Sequence, residues 1–211
     1  MSRAQQALLE PRKSPVQARS ATSVKTILEA TIQILLDIGK ERLTTTRVAS
    51  RAGVSVGTLY QYFPNKSALL QAALRAHLDL IAGAIDHVCR EEKGQPVAQM
   101  ATRLVNTFLD AKTKDLKTSL ALYSVSSDVD GSRVVKEMGK RMNTSIASLL
   151  ATANDALAND AELIASIIQG AMAGVSRQLL ESASPEKQYP LVRKELTLMM
   201  QAYLDARLSK A

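Results

Sequence analysis

Apolar residues recur at three- and four-residue spacing along most of the chain. Between 21 and 38, Val24, Ile27, Leu28, Thr31, Leu35 and Ile38 fall on one helical face. Gly39 follows in the position favoured just past a helix C-terminus. Thr44 is placed to cap a short helix over 45–52, which Gly53 breaks, and Ser55 to cap another over 56–62, which Pro64 closes. Asn65 caps a long helix that begins at Lys66. Further helices are predicted over 66–91, 96–111, 115–126, 132–153, 160–182 and 189–208. The breakers between them are Gly94 with Pro96, Asp128 to Gly131, and Ser182 to Pro185. No period-two alternation, repeat or low-complexity tract interrupts this pattern. The fold class is therefore all-α: a polar arm over 1–20, a small three-helix head over 21–66, and a larger helical body over 67–211.

Charge sharpens the division. The net charge is +7, and residues 1–70 hold ten Lys/Arg against four Asp/Glu, whereas the remainder is almost balanced. A basic segment on a nearly neutral body suggests a polyanion partner for the head; a basic tail that only aids solubility is the plainer alternative. The single cysteine, Cys89, excludes an internal disulfide framework. No stretch reads as long and apolar enough to span a bilayer, and the polar Met1-Ser2-Arg3 start lacks the apolar core of a signal peptide. A soluble, cytoplasmic protein with no membrane partner, acting at the nucleoid, is expected.

The informative run is 43–63. Val48, Ala49 and Ala52 face inward from the first helix of the pair, Gly53 gives the backbone freedom for a tight turn, and Val54 and Leu59 fill the angle between the helices. Such helix pairs place the second helix in the major groove of DNA. On that second helix Leu59 and Phe63, four apart, point to the core. Val56, Gly57, Tyr60 and Gln61 point away, and no charge occupies this outer face. Gly57 allows close approach, Val56 and Thr58 offer methyls to thymine, and Gln61 can bond an adenine edge. The hydroxyls of Tyr60 and Tyr62 are long enough to reach phosphates, and Lys66 adds its charge to a helix N-terminus. Three of the seven aromatic residues fall between 60 and 63, and Tyr60 and Tyr62 cannot both share the inward face with Leu59.

At this point the sequence resembles the TetR family of regulators. The likeness runs through Ile27-Leu28-x-Ala30, Gly39, Leu43-Thr44-Thr45, Ala52-Gly53-Val54-Ser55, Gly57-Thr58-Leu59-Tyr60-x-Tyr62-Phe63 and Asn65-Lys66-x-x-Leu69, about the first quarter of the chain in unbroken register. The resemblance implies that Thr45 and Thr46 open the helix that crosses the DNA backbone. It also implies that Ser55, Val56, Gly57, Thr58 and Gln61 read bases, and that Tyr60, Tyr62 and Lys66 clamp phosphates. Thr46-Arg47 departs from the common pattern of Arg followed by a charged residue, which leaves open which of the two reaches DNA. The arm residues Arg3, Arg12, Lys13 and Arg19 are either a minor-groove arm or bystanders.

TetR-like bodies bind an effector within the helical domain and dimerise through their last two long helices. The segment 160–182 fits the second role, because Leu163, Ile164, Ile167, Ile168, Ala171, Met172, Val175 and Leu179 make a surface wider than one core-facing stripe. Gly170, Ala173 and Gly174 would let a neighbouring helix approach closely; a buried central helix of a monomer is the alternative. Ile167, Gly170 and Gly174 are the dimer candidates here, joined by Leu196, Met200 and Tyr203 of the last helix. For the effector, Phe108, Tyr123, Met138 and Met142 are candidates for an adaptable apolar pocket, and His87, Arg103 or Asn106 for fixing a polar group. Ordinary core or surface packing accounts for each of these equally well.

Catalytic chemistry finds no foothold. His77 and His87 are the only histidines, and His87 and Cys89 point to different helix faces. Metal-ligand spacing, phosphate loops and nucleophile elbows are all missing from the sequence, so no enzyme, metal or cofactor is expected. The sequence thus predicts a homodimeric, operator-binding transcriptional regulator acting on a near-palindromic double-stranded DNA, most simply a repressor released by a small-molecule effector of unknown identity. A ligand-insensitive or co-repressor-dependent regulator of the same fold, an activator, and a non-DNA helical module are the alternatives.

Overall fold

A computed structural model describes residues 18–127, 129–154 and 160–208. Among them lie nine helices and no strand. They are α1 (Ala18–Arg42), α2 (Thr45–Ala52), α3 (Val56–Tyr62), α4 (Lys66–Glu91), α5 (Val97–Thr113), α6 (Leu116–Ser126), α7 (Val129–Leu150), α8 (Ala161–Glu181) and α9 (Pro185–Asp205).

The bounds depart from the sequence pattern in two instructive places. Gly39 was expected to end the first helix. It adopts φ 77°, ψ 168°, which bends the chain, and one more turn continues to Arg42. The last helix begins at Pro185 rather than 189, because proline at the first helical position gives up only an N–H that has no intrahelical partner there.

The chain divides into two units. The first comprises the described residues up to His77 together with the Lys117–Val135 segment, so α6 and the start of α7 join the head, beyond the boundary at 66 suggested by sequence. Its core includes Ile27, Leu43, Leu59, Phe63, Leu69, Leu74 and Leu122, all fully buried. His77 Nε2 meets Ser119 Oγ at 3.1 Å and Ser67 Oγ donates to Asp130 at 3.1 Å, tying α4 to α6 and to the start of α7. Gly131 sits where α6 and α7 pass very closely: an added Cβ would lie 2.0 Å from the Val125 carbonyl oxygen.

The second unit comprises Leu78–Leu116 and the described residues from Lys136 onward. Here α9 packs along α5 and against α8, and α5 also touches α8. Met100, Leu104, Leu109, Ile146, Ile164 and Leu204 are buried in it.

By length and composition, α4 and α8 are apolar enough to cross a membrane, contrary to the sequence expectation. Most apolar residues of α4, such as Leu69, Leu74, Ile81 and Ile85, are buried in the protein, whereas Leu80 is exposed. In α8 they are divided between buried Ile164, Ile168 and Met172 and exposed Leu163 and Ile167.

Candidate nucleic-acid interface

Local hydrogen bonds fix the α2–turn–α3 unit at each end. Thr44 is extended, and its side chain accepts the Arg47 N–H at 3.3 Å. Gly53 takes the left-handed conformation (φ 66°, ψ 29°) and donates its N–H to the Ala49 and Ser50 carbonyls, closing α2. The Ser55 hydroxyl accepts from Thr58 N–H at 2.9 Å and shares a 2.8 Å bond with Thr58 Oγ1, and Asn65 Oδ1 accepts from Ala68 N–H at 2.8 Å. Val48, Ala49, Leu59 and Phe63 are buried beneath, whereas Ala52 and Val54, expected inside, are only half-buried beside the turn.

The outer surface of this unit exposes Thr46 and Arg47 of α2, then Ser55, Val56, Gly57, Tyr60 and Gln61. Thr58, Tyr62 and Lys66 are half-buried at its margins. Thr45, expected at the surface, is corrected to the interior: it is 9% exposed, and its hydroxyl lies 3.0 Å from the Tyr60 hydroxyl. Tyr60 is therefore an exposed ring whose polar end is held by α2. The hydroxyl read from sequence as long enough to reach a phosphate thus also meets Thr45, and either oxygen can be the donor.

The cations are placed by the end of α1. Arg47 Nη1 donates to the Arg42 carbonyl at 2.6 Å, and Lys66 Nζ to the Glu41 carbonyl at 3.4 Å. Carbonyls at a helix C-terminus favour such cations without cancelling a full charge. Arg51, by contrast, is neutralised by Asp37 at 2.9 Å. The arm residues Arg3, Arg12 and Lys13 lie outside the described residues, as does the side chain of Arg19.

The residues suggested for an effector pocket do not form one group. Tyr123 belongs to the first unit and the other six to the second. Phe108, Met138 and Met142 are buried and Asn106 is half-buried. Lys112 Nζ lies 5.9 Å from the Phe108 ring centroid, and burial lowers its pKa. His87 is exposed and faces Glu91 at 3.3 Å, while Arg103 binds Glu92 at 2.8 Å and Glu91 at 3.3 Å. The sequence reading overlooked Asn143, whose buried side-chain oxygen has no hydrogen-bond partner among the described residues. It also overlooked a cleft of about 580 Å³ between α4 and α7, which none of the seven suggested residues lines. Among the described residues no three His, Cys, Asp or Glu side chains gather as metal ligands would.

The dimer candidates separate by helix. On α8, Ile167, Gly170 and Gly174 are exposed, and an added Cβ at either glycine would meet nothing within 4 Å. On α9, Leu196 and Met200 are corrected to the protomer's own core, because their four-residue spacing faces α5 and α8. The large exposed apolar residues of α9 are Leu191, Leu198 and Met199. Tyr203 is half-buried under the Arg207 guanidinium, 5.2 Å from the ring centroid.

With this geometry in place, comparison with known proteins gives a consistent result. The family described as bacterial regulatory proteins, tetR family, matches residues 27–73, and the tetracyclin repressor-like C-terminal domain matches residues 96–204. The HTH-type transcriptional repressor KstR of Rhodococcus jostii is 30% identical over 121 residues, 56% of this chain and 55% of that protein. The chain spans about half the length of the curated relatives it matches. A protein of Mesorhizobium loti assigned to the TetR-family transcriptional regulators shares the fold, with a TM-score of 0.74, 20% identity, and coverage of 92% of this chain and 100% of that one. The SmeT–triclosan complex is similar in fold too, with a TM-score of 0.66, 18% identity, and coverage of 90% and 93%. Because the two domain matches cover the three-helix head and most of the helical body, the chain belongs to the tetR family of bacterial regulatory proteins.

Proposed function

We propose that this protein is a sequence-specific DNA-binding transcriptional regulator, a homodimeric repressor released by a small-molecule effector. One observation carries the reading. The face of α3 formed by Val56, Gly57, Tyr60 and Gln61 is exposed and uncharged, on a helix pair whose ends are capped and whose inner face is buried. A duplex needs such a face to read base edges, with Arg47 and Lys66 beside it for phosphates. The relative KstR is itself named a transcriptional repressor.

A second copy would cover the exposed apolar positions of α8 and α9: Leu163, Ile167, Leu191, Leu198 and Met199. The dimer would set two α3 helices roughly 34–36 Å apart, one turn of a near-palindromic operator. The effector would enter the second unit, near Phe108, Met138 and Met142, with the unpaired Asn143 oxygen accepting one of its hydrogen bonds. That SmeT is known as a triclosan complex supports a small-molecule ligand for this fold. A differential affinity worth about 1–3 kcal/mol suffices to couple ligand to operator. The protein acts in the cytoplasm, at the nucleoid, with no catalytic step.

The test is a gel shift of the purified chain on the DNA flanking its own gene, at two salt concentrations, beside a Gln61→Ala/Lys66→Ala variant. A salt-sensitive shift lost in the variant is expected. Failure both on that DNA and in random-site selection defeats the DNA-binding reading. Ile167→Glu tests the dimer by light scattering: a fall to monomer mass is expected, and an unchanged dimer places the interface elsewhere.

A further inference from the structure

We infer that the cleft between the C-terminal half of α4 and α7 is a binding site for a small polyanion bearing phosphate groups. It names a ligand class for the second unit, and rests on the regulator reading only for any consequence at DNA. Its walls are single helical stripes. Asp86, Cys89 and Arg90 on α4, with Lys93 just beyond, follow three-and-four spacing, as do Glu137, Lys140, Arg141, Thr144 and Ser148 on α7. At about 580 Å³ the cleft falls within the size range of small-molecule sites.

The charges divide into an internal set and a free set. Asp86 Oδ2 accepts two bonds from Arg141, at 3.1 and 2.6 Å, its Oδ1 accepts Ser145 Oγ at 2.6 Å, and Arg141 Nη1 reaches Asp79 at 3.1 Å. This network pins α4 to α7 and holds one carboxylate in excess, Arg141 facing both Asp79 and Asp86. Arg90, Lys93 and Lys140 remain on the rim, all exposed, and no carboxylate among the described residues pairs with them. Two carboxylates oppose them from the lining, Asp86, which shares Arg141 with Asp79, and Glu137, which has a partner of its own. The Ser148 hydroxyl adds an exposed donor without a partner among the described residues.

Four cations (Arg90, Lys93, Lys140 and Arg141) against two carboxylates (Asp86 and Glu137) leave the lining net positive, and a concavity focuses that field on whatever enters it. Lys and Arg heads with a free hydroxyl match the oxygens of a multiply charged phosphate group. The floor is apolar, with Leu149 and Cys89 both buried. Burial keeps the Cys89 thiol neutral, so it adds no negative charge to repel an anion. A duplex presents a convex backbone, which a cleft of this size does not accommodate; a small free anion fits.

The experiment is calorimetric titration of the full chain with inorganic pyrophosphate at fixed ionic strength and without DNA, so that failure of the operator reading leaves the result intact. Saturable binding is expected. It should weaken at least about tenfold in Lys93→Ala/Lys140→Ala, tighten in Glu137→Gln, and stay unchanged in Gln61→Ala/Lys66→Ala. Both lysines are exposed, so unchanged urea midpoints are expected to accompany the loss. Absence of saturable heat, or a double variant that binds like the parent, overturns the proposal. So does a double variant that loses only operator affinity, which would make the cleft a nucleic-acid surface.

Discussion

The hydroxyl pair Thr45–Tyr60 can be separated from any contact Tyr60 makes to DNA. The perturbation is a double-mutant cycle of Thr45→Val and Tyr60→Phe, which removes the two hydroxyls singly and together. The oxygens lie 3.0 Å apart. Thr45 is 9% and Tyr60 41% exposed, so water competes for one end of the bond only. A net hydrogen bond contributes about 0.5–1.5 kcal/mol, and this half-exposed one belongs to the lower part, about 0.5–1 kcal/mol. Tyr60→Phe should therefore shift the folded-to-unfolded ratio roughly two- to fivefold. The double variant should lose less stability than the sum of the singles by that same amount. Urea denaturation followed by circular dichroism reads the cycle, with an unchanged m-value as the sign that only stability has moved. Additivity within about 0.3 kcal/mol would refute the reasoning, because the hydroxyls would then contribute independently.

Gly131→Ala should cost roughly 1–3 kcal/mol, since its Cβ would stand 2.0 Å from a backbone oxygen that cannot swing aside; an unchanged urea midpoint would count against that close passage. Gly170→Ala should stabilise the isolated protomer by about 0.5–1 kcal/mol, because its Cβ meets nothing and helix propensity improves. In a dimer built on this face, the same change should weaken association, read by sedimentation against concentration; stronger association would refute that packing. Burial, reinforced by the Asp86 charge, raises the Cys89 thiol from 9.0 to about 12. The stability this group contributes is complete below pH 9 and is lost as pH rises toward 12, where the folded thiol also ionises. Native protein at pH 8 should react slowly with a thiol reagent and rapidly in denaturant; equal rates would show that the thiol is accessible.

What the sequence made legible is chiefly local. Thr44, Gly53, Ser55 and Asn65 act within four residues of themselves, and each makes the capping contact its residue type suggests. Pattern also marks an apolar face but not what covers it. Leu196 and Met200 read as an interface because their stripe is apolar, yet α5 and α8 of the same chain cover that stripe. Exposure of Tyr60 could be read from the helical wheel; its partner, fifteen residues away, could not. The α4–α7 cleft is still less visible, since Asp86 and Arg141 meet across 55 residues and only the fold brings their stripes together.

The inclusion of Lys117–Val135 in the first unit bears on how this regulator could be recombined with others. A chimera that grafts its operator specificity onto another sensor is usually imagined as one cut after the reading helix. Here the chain leaves and re-enters the first unit, with crossings after His77, Leu116 and Val135. A single junction would strand α6, with Ser119 and its bond to His77, in the donor's sensor half. Transplanting the head whole therefore needs three junctions, two of them inside the continuous helices α4 and α7, and single-crossover hybrids would inherit a head missing part of its own core.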